Sequence, residues 1–191
     1  NKAIQGEPNS SDLFVNRAKT KVNLNDFKGA ENDLEEAITI KPDNARAYLE
    51  RGLLKLNYFE KTTDAMQDFN MAIRLKPNDT EAYAYRGDVK LQLGDYRGAI
   101  QDYSKSIQLD LKSSKPYHNR GICKVRINDF RGAIQDFTKV IQLEPDNAGA
   151  YSNRGKCKFK VNDKNGACED WSKAGELGDT DVYELINDFC K

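Results

Sequence analysis

A nucleophilic or metal site in this chain would have to be built around one imidazole, His118, and four thiols, Cys123, Cys157, Cys168 and Cys190. A Ser-His-Asp or Cys-His arrangement needs a base, and His118 is the one histidine available. No two cysteines form a Cys-x-x-Cys pair, and one histidine adds little to a ligand set, so a zinc site is disfavoured. The four cysteines read as small apolar residues in packing positions. A disulfide joining Cys168 to Cys157 or to Cys190 is the alternative. The glycines stand singly and form no phosphate-cradling loop, and nothing calls for a cofactor. The reading is that the chain is not an enzyme.

Charge is the richer signal. Lys plus Arg and Asp plus Glu number 30 each, which leaves no net field to favour nucleic acid or a membrane surface. No stretch approaches the ~20 apolar residues of a spanning helix, so no membrane insertion is expected. The charges are ordered, however. Five times an aromatic residue is followed three positions later by Arg, then by Gly or Ala, then by Lys. The copies are Phe14-Arg17-Ala18-Lys21, Tyr48-Arg51-Gly52-Lys55, Tyr83-Arg86-Gly87-Lys90, Tyr117-Arg120-Gly121-Lys124 and Tyr151-Arg154-Gly155-Lys158. Downstream of each comes an aspartate: Asp33, Asp68, Asp102, Asp136 and Asp170. Arg and Lys four apart share a helical face, where two like charges alone cost about 0.2–0.5 kcal/mol. Each Asp is therefore expected to face its Arg and Lys from a second helix, as a structural ion-pair cluster.

The step between copies is 34 residues, with one step of 35 between Gly52 and Gly87. A fixed period of this length means stacked helical hairpins. With those glycines at slot 8, slot 20 is Ala30, Ala65, Ala99, Ala133 and Ala167. Slot 24 is Leu34, Phe69, Tyr103, Phe137 and Trp171. Slot 32 is Pro42, Pro77, Leu111, Pro145 and Asp179. Small residues let two helices approach, the large one fills the space beside them, and Pro ends the second helix. Helices are expected at 11–24 and 27–41, 45–57 and 61–76, 79–93 and 96–110, 114–127 and 130–144, 148–161 and 164–177, and 181–190. Asn25-Asp26, Gly94-Asp95 and Asn128-Asp129 suit a tight turn and an N-cap. The extra residue falls in Tyr58 to Asp64, where Phe59 is expected to be buried and Tyr58 exposed.

This pattern resembles the tetratricopeptide repeat (TPR), W-x₂-L-G-x₂-Y, then A-x₃-F, then P, with Arg in place of Leu and Lys in place of Tyr. The resemblance implies an all-α fold, a right-handed α-α superhelix of five hairpins (11–44, 45–79, 80–113, 114–147, 148–180) with a C-terminal capping helix at 181–191. Val182, Leu185, Ile186 and Phe189 would form the apolar face of that cap, with Asp181 and Glu184 as its capping box. Residues 1–10 read as the tail of a truncated preceding repeat, or as disordered, since Pro8 stands in register with Pro42. The expectation is that the natural protein extends upstream or that this repeat is eroded.

In TPR proteins the first helices line a concave groove through slots 2, 5, 6, 9, 12 and 13. Here slot 5 is Val15, Leu49, Ala84, His118 and Ser152, and slot 12 is Val22, Leu56, Leu91, Val125 and Phe159. These slots vary from repeat to repeat while the packing slots do not. Glu50, Glu81 and Asp88 would lie mid-groove, with basic residues toward the C-terminal end. The candidate peptide-binding residues are Tyr85, Lys115, His118, Asn119, Arg126, Asn153, Lys156 and Lys160. They suit an extended, acidic segment of a protein or peptide partner. One TPR class clamps chaperone tails through two carboxylates. Its positions fall here on Ala84, Asp88, Asn119, Gly149 and Asn153, of which Asn119 alone fits. The alternative to an adaptor is a self-association module that forms a homo-oligomer through the ends of the array.

Overall fold

A computed structural model describes residues 10–190 of the chain. The expected truncated repeat at the N-terminus lies outside the described residues. The chain divides into two compact units, one up to Val89 and one from Lys90, where the repeat pattern alone draws a single array. Unit 1 holds α1 (Ser11–Asn23), α2 (Phe27–Ile40), α3 (Ala45–Tyr58), α4 (Thr62–Leu75) and most of α5 (Thr80–Gln92). Unit 2 holds the last turn of α5, then α6 (Tyr96–Leu109), α7 (Ser114–Arg126), α8 (Phe130–Leu143), α9 (Ala148–Lys160), α10 (Lys164–Glu176) and α11 (Val182–Phe189). Every regular element among the described residues is a helix, as an all-α fold requires.

The turn between paired helices follows from two residues. Asn25, Asn128 and Asn162 take positive φ of 60°, 62° and 65°, a conformation asparagine tolerates better than most residues. Gly94 fills the same role at φ 78°. The aspartate that follows accepts a hydrogen bond from the backbone N–H three residues on: Asp26 from Gly29, Asp95 from Gly98, Asp129 from Gly132 and Asp163 from Gly166.

Packing within a hairpin depends on slot 8. A Cβ placed on Gly52 would lie 2.7 Å from the Phe69 ring, and one on Gly121 would lie 3.0 Å from Phe137. The missing side chain is what lets the large slot 24 residue reach the first helix. Leu34, Phe69, Tyr103, Phe137 and Trp171 are all buried there.

The predicted ion-pair clusters form. Asp33 receives Arg17 and Lys21, and Asp68 receives Arg51 and Lys55. Asp102 receives Lys90, Asp136 receives Arg120 and Lys124, and Asp170 receives Arg154 and Lys158. The carboxylates are nearly sealed, at 3 % exposure each. The aromatic three residues before each Arg lies under its guanidinium, 5.0 Å for Phe14 and Arg17 and 5.6 Å for Tyr117 and Arg120. A third contact was not legible in the pattern. Arg86 donates to Asn70, Arg120 to Ser104 and Arg154 to Thr138, each 16 residues upstream in the second helix of the preceding hairpin. For Arg120 and Arg154 the same guanidinium thus closes its own hairpin and ties it to the one before.

Local expectations are corrected at Asp181, Phe59 and Cys168. Asp181 is helical and makes no capping bond with its side chain; its N–H donates instead to Asp179, so the Pro-less turn at slot 32 starts α11. Tyr58 is 45 % exposed as expected, yet its ring stacks on Phe27 at 4.0 Å because α3 runs one residue further than in the other first helices. Phe59 is half-buried against the same cluster. Packing slots suit Cys123 and Cys157, which are buried and form no disulfide. Cys168 and Cys190 instead form a disulfide. Cys168 follows slot 20 by one residue, which turns it away from the hairpin interior toward the end of α11.

Candidate peptide-binding site

Helices α7 and α9 are the first helices of consecutive hairpins in unit 2. Asn153, Lys156, Cys157 and Lys160 fall at i, i+3, i+4 and i+7 on α9 and share one face. With Val125 of α7 and Phe130 of α8 they line a notch of about 120 Å³. Its floor is apolar. Cys157 is 1 % exposed, and burial pushes its thiol up to about 11, so it stays protonated and behaves as a small hydrophobe. Lys156 and Lys160 stand exposed at the rim. Neither makes a hydrogen bond or ion pair among the described residues. Asn153 is half-buried beside them.

The other predicted residues are placed differently. Lys115 is exposed in the first turn of α7 and Arg126 in its last. Asn119 is half-buried between them. His118 is half-buried and sets its ring edge-on to Phe137, 5.6 Å between centroids. Burial lowers its pKa below the ordinary 6.5, against an opposing pull from Glu144. At neutral pH it is therefore an uncharged imidazole rather than one of the site's cations. Tyr85 belongs to unit 1, with its ring 6.0 Å from that of Phe69. Asn153, Lys156 and Lys160 are thus gathered around one notch, while four of the others are spread along α7.

Slot 5 is closed off in three of the five repeats, while Ala84 and His118 are half-buried. Val15 and Leu49 are core residues, at 0 % and 5 % exposure, and Ser152 is buried as well. Val15 shares a core cluster with Ala47 of the next first helix, and Leu49 shares one with Ala82. Phe130 and Cys157 were missed as site residues. Cys157 had a signal, an apolar slot between Lys156 and Lys158; Phe130, between Asp129 and Arg131, had none.

Unit 1 has a notch at the corresponding place, of about 190 Å³, with Val22, Leu53, Asn57 and Tyr58 in its wall. There Lys19 is satisfied internally, 2.9 Å from Glu50. Glu50 is therefore not an open acid, as the charge pattern had suggested. The two notches share a position in the repeat, but Leu53 and Asn57 stand where unit 2 has Lys156 and Lys160.

Residues 11–44, 80–113 and 114–147 match the tetratricopeptide repeat profile, just over half of the chain. The chain belongs to the tetratricopeptide repeat family. No curated protein sequence matches it. Among solved TPR structures, it superposes on YrrB, described as a TPR protein with an unusual peptide-binding site, with TM-score 0.85 and 20% identity, covering 98% of this chain and 96% of that one. MamA from Desulfovibrio magneticus RS-1 aligns with TM-score 0.80 at 18% identity, over 88% and 94% of the two chains. PilF of Pseudomonas aeruginosa aligns with TM-score 0.80 at 14% identity, over 96% and 87%. At such identities the likeness carries the fold and not the ligand. TPR folds serve protein–protein interaction and are generally non-catalytic. No helix among the described residues is long and apolar enough to cross a membrane.

Proposed function

We propose that this TPR protein is a non-catalytic adaptor that binds an extended acidic peptide segment of a partner protein, with unit 2 as the reading surface. The observation that carries this is the pair Lys156 and Lys160. They stand without a counter-ion at the rim of an apolar notch, whereas the lysine at the unit 1 notch is paired. An ammonium pair one helical turn apart favours carboxylates, and the Val125–Phe130–Cys157 floor accepts an aliphatic side chain between them. Asn153 and Asn119 supply amides for the extended backbone, and Arg126 and Lys115 extend the positive rim. Tyr85 is an aromatic contact of unit 1 in the same reading.

Fluorescence polarisation with a labelled synthetic peptide of Asp, Glu and Leu, beside the same peptide carrying Asn and Gln for the acids, tests the proposal. The acidic peptide is expected to bind and the amide version to bind at least about tenfold more weakly. Lys156→Glu with Lys160→Glu should remove the difference while the helical circular dichroism stays unchanged. Equal affinity of the two peptides for the wild-type protein would sink the reading.

A further inference from the structure

Helix α11 is eight residues long, short of the ~12–15 residues at which an isolated helix becomes even marginally stable. It is held by side-chain packing, with Leu185 and Ile186 half-buried against the Ala167–Trp171–Ala174 cluster. Val182 is fully buried, Phe189 lies 4.6 Å from the Phe159 ring and 6.4 Å from Trp171, and the Tyr183 hydroxyl donates to the Gly175 carbonyl at 3.4 Å. Its entry carries no side-chain cap. At the far end, the residue that follows the helix is tied to α10 by the Cys168–Cys190 disulfide across 22 positions of sequence. That bond lies in the wall of an open depression of about 590 Å³. Lys164, Asn165, Glu169 and Ser172 line the depression and are exposed, so a small thiol can reach both sulfurs. The remaining thiols, Cys123 and Cys157, are buried and cannot be reached without opening the hairpins.

We propose that Cys168–Cys190 is a thiol–disulfide exchange site at which a dithiol reductant unlatches α11. One thiolate of the dithiol attacks the Cys190 sulfur, a mixed disulfide forms, and Cys168 leaves as a thiolate that takes a proton. The second thiol of the reductant then attacks its own sulfur in that mixed disulfide and releases Cys190, which is protonated in turn. Two electrons and two protons pass to the protein, and the reductant becomes the cyclic disulfide. The released helix keeps its apolar contacts and the Tyr183 hydrogen bond near its start, and frays from Phe189 inward, which uncovers Phe159 and Trp171 at the end of unit 2.

The test uses the full chain with dithiothreitol as the dithiol, under native conditions, followed by iodoacetamide. Two alkyl groups are expected, on Cys168 and Cys190, with Cys123 and Cys157 unlabelled. Hydrogen exchange in residues 182–189 should accelerate by about tenfold or more with α7 to α9 unchanged. Emission of Trp171, the chain's one tryptophan, should shift to the red. The variant Cys168→Ser with Cys190→Ser should exchange as fast as reduced wild type. Labelling of all four thiols together, no labelling short of denaturant, or slow exchange of α11 in the double variant would each overturn the proposal.

Discussion

Arg120 and Asp136 meet as two forks: Nε donates to Oδ2 at 3.0 Å and Nη2 donates to Oδ1 at 2.6 Å. Lys124 adds a third cationic contact at 2.8 Å, and the carboxylate is 3 % exposed. Asp136→Asn leaves two cations facing a neutral amide in a nearly closed space. Removing one partner of such a pair costs about 3–5 kcal/mol, to be read as a drop in the urea midpoint. Replacing all three together, Arg120→Met, Lys124→Met and Asp136→Leu, should recover most of that loss, because no uncompensated charge remains.

Two glycines on α9 should respond to alanine with opposite signs. At Gly155 the new Cβ would fall 2.6 Å from the indole nitrogen of Trp171 and 3.1 Å from the Ala167 carbonyl. The indole must shift, at a cost of about 1–3 kcal/mol and with a change in tryptophan emission. At Gly149 the nearest atom is Asn147 Oδ1 at 3.6 Å, so Gly149→Ala should stabilise by about 0.4–1 kcal/mol through the unfolded chain.

Stability should fall as pH drops through the ordinary histidine pKa of 6.5. Burial holds the folded His118 below that value, so on acidification the unfolded chain takes up the proton first. Unfolding free energies from urea titrations at about pH 7.5 and 5.5 should differ in the wild type, with less difference in His118→Gln. Hydrogen bonds from Ser114 and Asn147 lower the Glu144 carboxyl as well, and its contribution is lost only below the ordinary carboxylate range.

Reversing Lys156 and Lys160 should slow association with an acidic peptide by about tenfold at low salt, and the gap should narrow as salt screens the rim. Dissociation should change less. Lys19→Ala should leave this kinetic signature intact and cost at most about 0.5 kcal/mol of stability, since Lys19 is an exposed lysine whose pair with Glu50 lies near solvent. Stopped-flow fluorescence with a labelled peptide reads both.

Much of the hairpin geometry is written in spacing. A residue type that recurs about every 34 residues reports a contact that every repeat makes, which is why Asp102 could be set against Lys90 from sequence. Helix ends agree with expectation to within about a residue because Asn-Asp turns and caps are local chemistry. What escaped is what repeats cannot encode. Slot 5 varies between Val15 and His118, and variation looks the same at an interface as on a wet face. The partner of Cys168 was undecided between Cys157 and Cys190, although Cys157 shares its slot with buried Leu54 and Cys123. The notch at Phe130 joins three helices, and no single periodicity marks such a junction.

The guanidinium contact to the preceding hairpin accepts three different oxygens, from Asn70, Ser104 and Thr138. A copy of the repeat spliced in behind Asn70, Ser104 or Thr138 would bring its own Asp, balance its own cations, and find a hydroxyl or amide waiting upstream. Lengthening such a chain by gene duplication therefore carries no electrostatic barrier, and the number of hairpins is free to drift while each stays intact.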